Sequence, residues 1–109
     1  MHIKVITQAS KELLFPLGQV VATPGALDAL RERADYLVQL LARHAAGDWG
    51  VVGDEDQRAN DTALREGTRL LSAYPIDPAK PSRGHGDNTL WIITEWDRSV
   101  TTILLPEEY

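Results

Sequence analysis

The sequence predicts an α+β domain, with helices packed on one side of a small antiparallel β-meander made by the last three strands. Two observations carry this prediction. The segments 90–95 and 100–105 are rich in β-branched and aromatic residues and are separated by a short polar turn, a pattern typical of a β-hairpin. The segment 24–45 instead carries apolar residues at helical spacing. A chain of 109 residues suits a single domain spanning 1–109.

The C-terminal hairpin is the part of the chain against which the rest must pack. If its turn centres on Asp97 and Arg98, each residue of one segment gains a partner on the other. The predicted pairs are Glu95 with Val100, Thr94 with Thr101, Ile93 with Thr102, Ile92 with Ile103 and Trp91 with Leu104. Both faces of this ribbon are largely apolar, so we expect it inside a sheet rather than at a bare edge.

The first part of the chain predicts short extended pieces. Residues 1–7 alternate between apolar and polar side chains, which indicates an extra N-terminal strand at the sheet edge. Pro16 argues against a helix through the segment 8–17. We expect another short extended piece over 19–22.

The central part of the chain predicts helices. Thr23 and Pro24 mark a helix start, because a threonine side chain caps free amides and proline fits the first helical position. The apolar residues beyond them form one continuous stripe that we expect to make the second wall of the core. They are Leu27, Leu30, Ala34, Leu37, Val38, Leu41 and Ala45. The polar cluster 31–35 leaves two alternatives, one helix over 24–45 or two shorter helices in line.

A further helix and a further strand are predicted before the hairpin. Asp54 and Gln57 make a capping-box-like start for a helix over 55–66, which is only weakly amphipathic and should lie over the core. Residues 68–74 predict a strand. The segment 75–88 holds several prolines and glycines and predicts a flexible loop.

The composition excludes several kinds of chemistry. The chain has no cysteine, which rules out disulfides, thiolate catalysis and sulfur-ligated zinc together. Its histidines, His2, His44 and His85, show no recognisable ligand spacing, and no metal site is predicted. No apolar run approaches the ~20 residues of a membrane span, and the N-terminus lacks the pattern of a secretory signal. We therefore expect a cytoplasmic protein that does not contact a membrane.

The formal charge of −5 is unevenly placed along the chain. Residues 1–53 hold five basic and five acidic side chains, whereas residues 54–109 hold six basic and eleven acidic ones. Binding to a phosphate backbone uses clustered lysine and arginine, and no such run is present in the sequence. A nucleic-acid partner is disfavoured, and a protein partner is expected.

Four stretches carry a recognisable signature. They read LFPLGQVVATPGAL over 14–27, ARH with GDWG over 42–50, RLLSAY over 69–74, and WIITE with DRSVTTILLP over 91–106. In these stretches the chain resembles a family of small acidic proteins encoded on plasmids and integrated mobile elements of bacteria. The resemblance implies an accessory protein and no particular chemistry. The chain departs from the family at Trp96, where a small residue is more typical.

No cofactor is expected. The chain has neither a glycine-rich cofactor loop after a strand nor an Asn-Pro-Pro-aromatic motif, so a methyltransferase activity is not predicted.

Four side chains are candidates for catalysis. Helices that precede an antiparallel meander resemble, at fold level, the barnase- and RelE-like ribonucleases, in which His or Glu moves a proton while Arg and hydroxyl groups hold the phosphate. On this hypothesis His44 or Glu95 is the acid or base, and Arg69 and Arg98 clamp the phosphate. The alternative is structural, because His44 is favoured near a helix C-terminus and Glu95 and Arg98 can pair across the turn.

Other polar and aromatic residues are candidates for binding. They are Asp48, Trp49, Asn60, Ser72, Tyr74 and Thr101, with Thr102 as the alternative to Thr101. Trp49 is either an exposed recognition residue or a plug at the end of the core, and the plug is the commoner role.

The leading hypothesis is a non-catalytic accessory module that binds a protein partner. It predicts an exposed apolar patch that includes Trp49 or Trp96. The first competing hypothesis is the metal-independent ribonuclease. The second is an acidic inhibitor of host restriction or CRISPR defence, in which the helix 54–66 with Glu107 and Glu108 imitates a phosphate backbone.

Overall fold

A computed structural model describes residues 13–109, so the strand predicted over 1–7 lies outside the described residues. The elements in chain order are β1 (Gln19–Ala22), α1 (Pro24–Ala29), α2 (Ala34–Ala45), α3 (Asp54–Glu66), β2 (Leu70–Pro75), β3 (Thr89–Thr94), β4 (Val100–Leu104) and a terminal 3-10 helix (Pro106–Glu108). Helices and strands are segregated along most of this order. The predicted α+β class is confirmed.

The strands form one mixed sheet in the order β1-β4-β3-β2. β2, β3 and β4 are antiparallel neighbours, as the predicted meander requires. Trp91 pairs with Leu104 and Thr94 with Thr101, so the predicted hairpin register is confirmed. β1 lies parallel to β4. The sequence predicted an extended piece at 19–22 but not its position in the sheet.

β1 is held against the β3–β4 turn by a close backbone approach. Gly18 has a φ of +64°, and a Cβ at this position would lie 2.3 Å from the carbonyl oxygen of Ser99. Only glycine adopts this conformation in so little space. The next residue, Gln19, donates its amide to the same Ser99 carbonyl at 2.9 Å. These contacts fix the register in which Gln19 lies beside Val100.

The main core lies between one face of the sheet and the helices α1 and α2. Its buried residues are Ala26, Leu30, Leu40, Leu41, Tyr74, Leu90, Ile92 and Ile103. A smaller cluster extends this core towards α3 and consists of Phe15, Trp49, Ala63 and Leu70. The strand residues of both clusters alternate with residues of the opposite face, as the pleat of a sheet requires.

The predicted apolar stripe is only partly buried. Leu27 is 57% exposed and Val38 is 40% exposed, whereas Leu30, Leu41 and Ala45 of the stripe are buried. The segment 30–33 interrupts the helix, so that α1 and α2 are separate and the helical phase does not continue across the break. The alternative of two shorter helices is confirmed, and the prediction of one continuous stripe is wrong.

α3 lies over the smaller cluster and is mostly exposed, as predicted. Its cap differs from the prediction, because Gly53 is the N-cap residue and Asp54 is already helical, so the side chain of Asp54 makes no cap hydrogen bond. The acidic residues of the first turn instead stabilise the positive end of the helix dipole. At the other end, Gly67 adopts a φ of +71° and closes the helix.

The predicted loop begins one residue later than expected, at 76, because Pro75 is the last residue of β2, and residues 76–88 are extensively hydrogen-bonded. The side-chain amide of Asn88 donates to the carbonyl oxygens of Asp77, Lys80 and Pro81, and its oxygen accepts from the amide of Asp77. Asn88 has a φ of +54°, a conformation that asparagine tolerates better than most residues. These bonds organise a segment for which composition alone predicted flexibility.

Candidate functional site

The most unusual buried group in the described residues is His44. Its imidazole is closed off from solvent, and both ring nitrogens have partners. Nδ1 lies 2.5 Å from Oγ of Ser72, and Nε2 lies 2.9 Å from Oγ1 of Thr94. Thr94 contacts Oγ1 of Thr101 at 2.7 Å, and Thr101 donates to the carbonyl oxygen of Leu17 at 2.6 Å.

The fold brings these groups together from four elements. Ser72, Thr94 and Thr101 project from β2, β3 and β4 onto the helix-covered face of the sheet, where they form a polar row between apolar neighbours. His44 lies in the last turn of α2, above this row. The four side chains are fully buried, and each finds a hydrogen-bond partner, as buried polar groups must.

The direction of the hydrogen bonds follows from the carbonyl at one end. The carbonyl of Leu17 can only accept, so Thr101 donates to it and accepts from Thr94. Thr94 must then accept from His44, which places the ring proton on Nε2. Nδ1 is left as the acceptor for the hydroxyl of Ser72. The network therefore selects one neutral tautomer of His44.

Burial also keeps His44 neutral. Desolvation, with a smaller contribution from the nearby Arg98 guanidinium, lowers the pKa of His44 to about 3. The imidazole is packed edge-on against two aromatic rings, with centroid distances of 5.2 Å to Phe15 and 5.8 Å to Trp49. Proton transfer at neutral pH needs a pKa closer to 7 and access to a substrate. This geometry gives His44 a structural role.

Arg98 is one of the predicted catalytic residues, and it is directed into the protein. Its guanidinium donates to the carbonyl oxygens of Thr68, Glu95 and Ala63, and lies 5.7 Å from the centre of the Phe15 ring. The carbonyl of Ala63 belongs to the last turn of α3, where a cation is favoured by the helix dipole. Arg98 thereby joins the β3–β4 turn to the end of α3.

Arg69 and Glu95 lie elsewhere. Arg69 precedes β2 and is exposed, with its guanidinium 5.2 Å from the centre of the Tyr109 ring. Tyr109 in turn contacts Trp91, on the face of the sheet opposite His44. Glu95 is half-buried at the start of the turn. The structure therefore does not bring His44, Arg69, Glu95 and Arg98 into one cleft.

Three of the predicted binding residues hold the β2 edge and the end of α2. Asn60 bonds the edge of β2 with both ends of its amide, accepting from the amide of Leu71 at 3.0 Å and donating to its carbonyl at 2.6 Å. Tyr74 donates to the carbonyl of Asp48 at 2.6 Å, and Asp48 accepts from Arg43 at 2.8 Å. These contacts stabilise the fold.

Trp49 and Thr102 complete the set of candidates. Trp49 is buried at the end of the core and donates Nε1–H to Asp61 at 3.2 Å, which fits the plug rather than the exposed recognition residue. Thr102 alternates with Thr101 and points to the other face of the sheet. Sequence reasoning did not select Thr94, although its predicted pairing with Thr101 placed two hydroxyls side by side on one face of the sheet.

Trp96 lies at the β3–β4 turn and is a large aromatic residue that is exposed to solvent. Its side chain is 66% exposed. The turn beneath it is closed by a hydrogen bond from the amide of Arg98 to the carbonyl of Glu95 at 2.9 Å. Asp97 accepts from the amide of Ser99 at 3.0 Å and from its hydroxyl at 2.6 Å. We call residues 95–99 the hairpin tip.

Comparisons with known protein families, with characterised proteins and with solved structures find no match for this chain. Among residues 13–109, no three His, Asp or Glu side chains are grouped in a way that would hold a metal ion. None of the helices described there is long and apolar enough to cross a membrane.

Proposed function

We propose that this chain is a small, non-catalytic accessory module that binds a protein partner through the hairpin tip. The exposed indole of Trp96 carries this proposal. Tryptophan is enriched among the few residues that supply most of the binding energy of protein interfaces, because it offers a large contact area. The exposed indole leaves apolar surface in water that contact with a partner would bury.

The way in which the tip is held supports the same function. The Arg98 side chain donates hydrogen bonds to the carbonyl oxygens of Thr68 and Ala63, which hold the turn against its neighbours. Within the turn, Asp97 accepts a hydrogen bond from the amide of Ser99. A binding residue on a rigid turn loses little conformational entropy on association. The hairpin tip therefore presents Trp96 in a pre-organised position.

The test is a binding measurement on the Trp96→Ala variant. A photo-crosslinking amino acid placed next to the tip identifies the partner in the native host, and the purified partner is then titrated against the wild type and the variant. We expect a loss of about 2 kcal/mol, or roughly 30-fold in Kd, which is typical of an interface hot spot.

The matched control is Val51→Ala. Val51 is an exposed apolar residue, 39% open to solvent, that lies beside β2 rather than at the hairpin tip. Both variants should unfold within about 0.5 kcal/mol of the wild type, as exposed substitutions usually do. Equal affinity of Trp96→Ala and Val51→Ala for the partner would show that the indole is not the contact and would overturn the proposal.

The two competing functions are separated by the same proteins. A ribonuclease would cleave RNA and lose this activity in a His44→Ala variant; the burial of His44 gives this hypothesis no support. An acidic inhibitor would lose its partner on charge reversal at Asp54, Glu55 and Asp56. The acidic surface of α3 is interrupted by the basic residues Arg58 and Arg65, which does not favour imitation of a phosphate backbone.

A further inference from the structure

The charges around Trp96 differ from those expected of a neutral apolar anchor. Glu95 precedes the indole and Asp97 follows it, and the side chain of Asp97 is exposed. The two hydrogen bonds from Ser99 hold the pKa of Asp97 below its usual range, so this carboxylate stays ionised at neutral pH. Trp96 is therefore flanked in the sequence by two acidic residues.

The cation of the tip is turned away from this surface. The guanidinium of Arg98 donates inward to the carbonyl oxygens of Thr68, Glu95 and Ala63, and it lies over the ring of Phe15. Its charge is thus placed beneath the turn, at the end of α3. The outer surface of the tip combines an open aromatic face with negative charge.

We propose that the partner bound at the hairpin tip presents a cationic segment whose arginine side chain packs on Trp96 and pairs with the acidic residues Glu95 and Asp97 of the tip. This inference rests on the proposed function and names the chemistry of the partner. Arginine suits both parts of the surface, because its planar guanidinium stacks on an indole and hydrogen-bonds carboxylates at its edges. The net charge of −5 adds long-range attraction for such a segment.

The first experiment uses a blocked synthetic peptide in which arginine alternates with glycine, and a matched peptide in which citrulline replaces arginine. Citrulline keeps the shape of the side chain and removes the charge. Binding is followed by the indole N–H resonance of Trp96, assigned with the Trp96→Phe variant. We expect the arginine peptide to shift this resonance and to bind at least about ten-fold more tightly than the citrulline peptide. Raising the salt concentration from about 0.05 to about 0.3 M should weaken binding of the arginine peptide several-fold.

The second experiment compares two pairs of substitutions with the same change in charge. Glu95→Gln with Asp97→Asn neutralises the tip, and Asp54→Asn with Glu55→Gln neutralises the first turn of α3. α3 is about 20 Å long and ends at the tip, so its first turn lies far from Trp96. We expect the tip pair to lower the affinity for the arginine peptide about ten-fold. The α3 pair should leave this affinity within about two-fold of the wild type.

The outcomes separate this inference from the function on which it rests. Equal binding of the arginine and citrulline peptides, no binding of either, or equal effects of the two charge pairs would overturn the cationic partner. If Trp96→Ala abolishes capture of the natural partner and the tip pair leaves capture unchanged, the hairpin tip remains the binding site. Its preference for a cationic partner is then rejected. Capture that is unchanged in Trp96→Ala would reject the proposed function itself.

Discussion

Nε2 of His44 lies 2.9 Å from the hydroxyl oxygen of Thr94, and both groups are closed off from solvent between α2 and the sheet. A satisfied polar network of this kind specifies how the helix sits on the strands, because any shift leaves a buried donor or acceptor without a partner. Ser72 and Thr101 extend the network across three strands. His44 therefore fixes the position of α2 on the sheet rather than binding a substrate.

The network makes stability depend on pH. The pKa of His44 is about 3 in the folded protein and about 6.5 in an unfolded chain, so the unfolded state binds more protons between these values. The stability contributed by neutral His44 is fully present above about pH 6.5 and is lost as the pH falls towards 3. Urea unfolding should show a His44-dependent loss of about 2 to 3 kcal/mol between about pH 7 and 4.5.

Two histidine variants isolate this effect from the titration of the carboxylates. His44→Gln should unfold with a shallower dependence on pH than the wild type, whatever its stability at pH 7. His85→Gln changes an exposed histidine in the 76–88 loop and is the control for replacing a histidine by glutamine. Identical slopes for His44→Gln and the wild type would show that His44 is not held neutral by the fold.

Asn60 should be the most important polar residue of α3 for stability. Its amide satisfies both the donor and the acceptor of Leu71 on the outer edge of β2. Asn60→Ala leaves these two backbone groups without partners and should destabilise the protein by about 2 to 3 kcal/mol. The Leu71 amide should also exchange faster with solvent. Gln57→Ala, on the exposed side of the same helix, is the control and should change stability by less than about 0.5 kcal/mol.

The hairpin could be predicted residue by residue because two independent signals agree on it. Alternation of apolar residues sets the faces, and the polar turn at Asp97 and Arg98 sets the register, so the pairing of Thr94 with Thr101 followed. The parallel pairing of β1 with β4 depends on contacts 81 residues apart, between Gln19 and Val100 and their neighbours, for which the four residues of β1 carry no local signal.

The chemistry of the candidate site was harder to predict than its neighbourhood. The helical pattern placed His44 near the C-terminus of the helix, but the type of residue equally suits proton transfer and a buried hydrogen bond. Burial decides between these two roles of His44. The burial of its partner Ser72 depends on which face of the sheet the helices cover. Alternation along a strand shows that two faces exist and does not show which one is covered.

Gly18 should be far less tolerant of a side chain than Gly67, although both have positive φ. A Cβ at Gly18 would lie 2.3 Å from the carbonyl oxygen of Ser99, whereas a Cβ at Gly67 meets nothing within 4 Å. Gly67→Ala should therefore cost only the backbone strain of about 1 kcal/mol. Gly18→Ala adds a clash that displaces β1 or the hairpin tip and should cost about 3 kcal/mol or more by urea unfolding. Equal losses would contradict this close approach.

Arg98 combines an unfavourable backbone with favourable side-chain bonds, and two variants separate these effects. Its φ of +61° is uncommon for a residue with a side chain, while its guanidinium donates to three carbonyls, including that of Ala63 at 3.1 Å. Arg98→Ala loses the bonds and keeps the strain, so we expect a loss of about 2 kcal/mol or more. Arg98→Gly loses the bonds and relieves the strain, so it should be about 1 kcal/mol more stable than Arg98→Ala in urea unfolding. A glycine variant no more stable than the alanine variant would show that the turn does not hold this conformation.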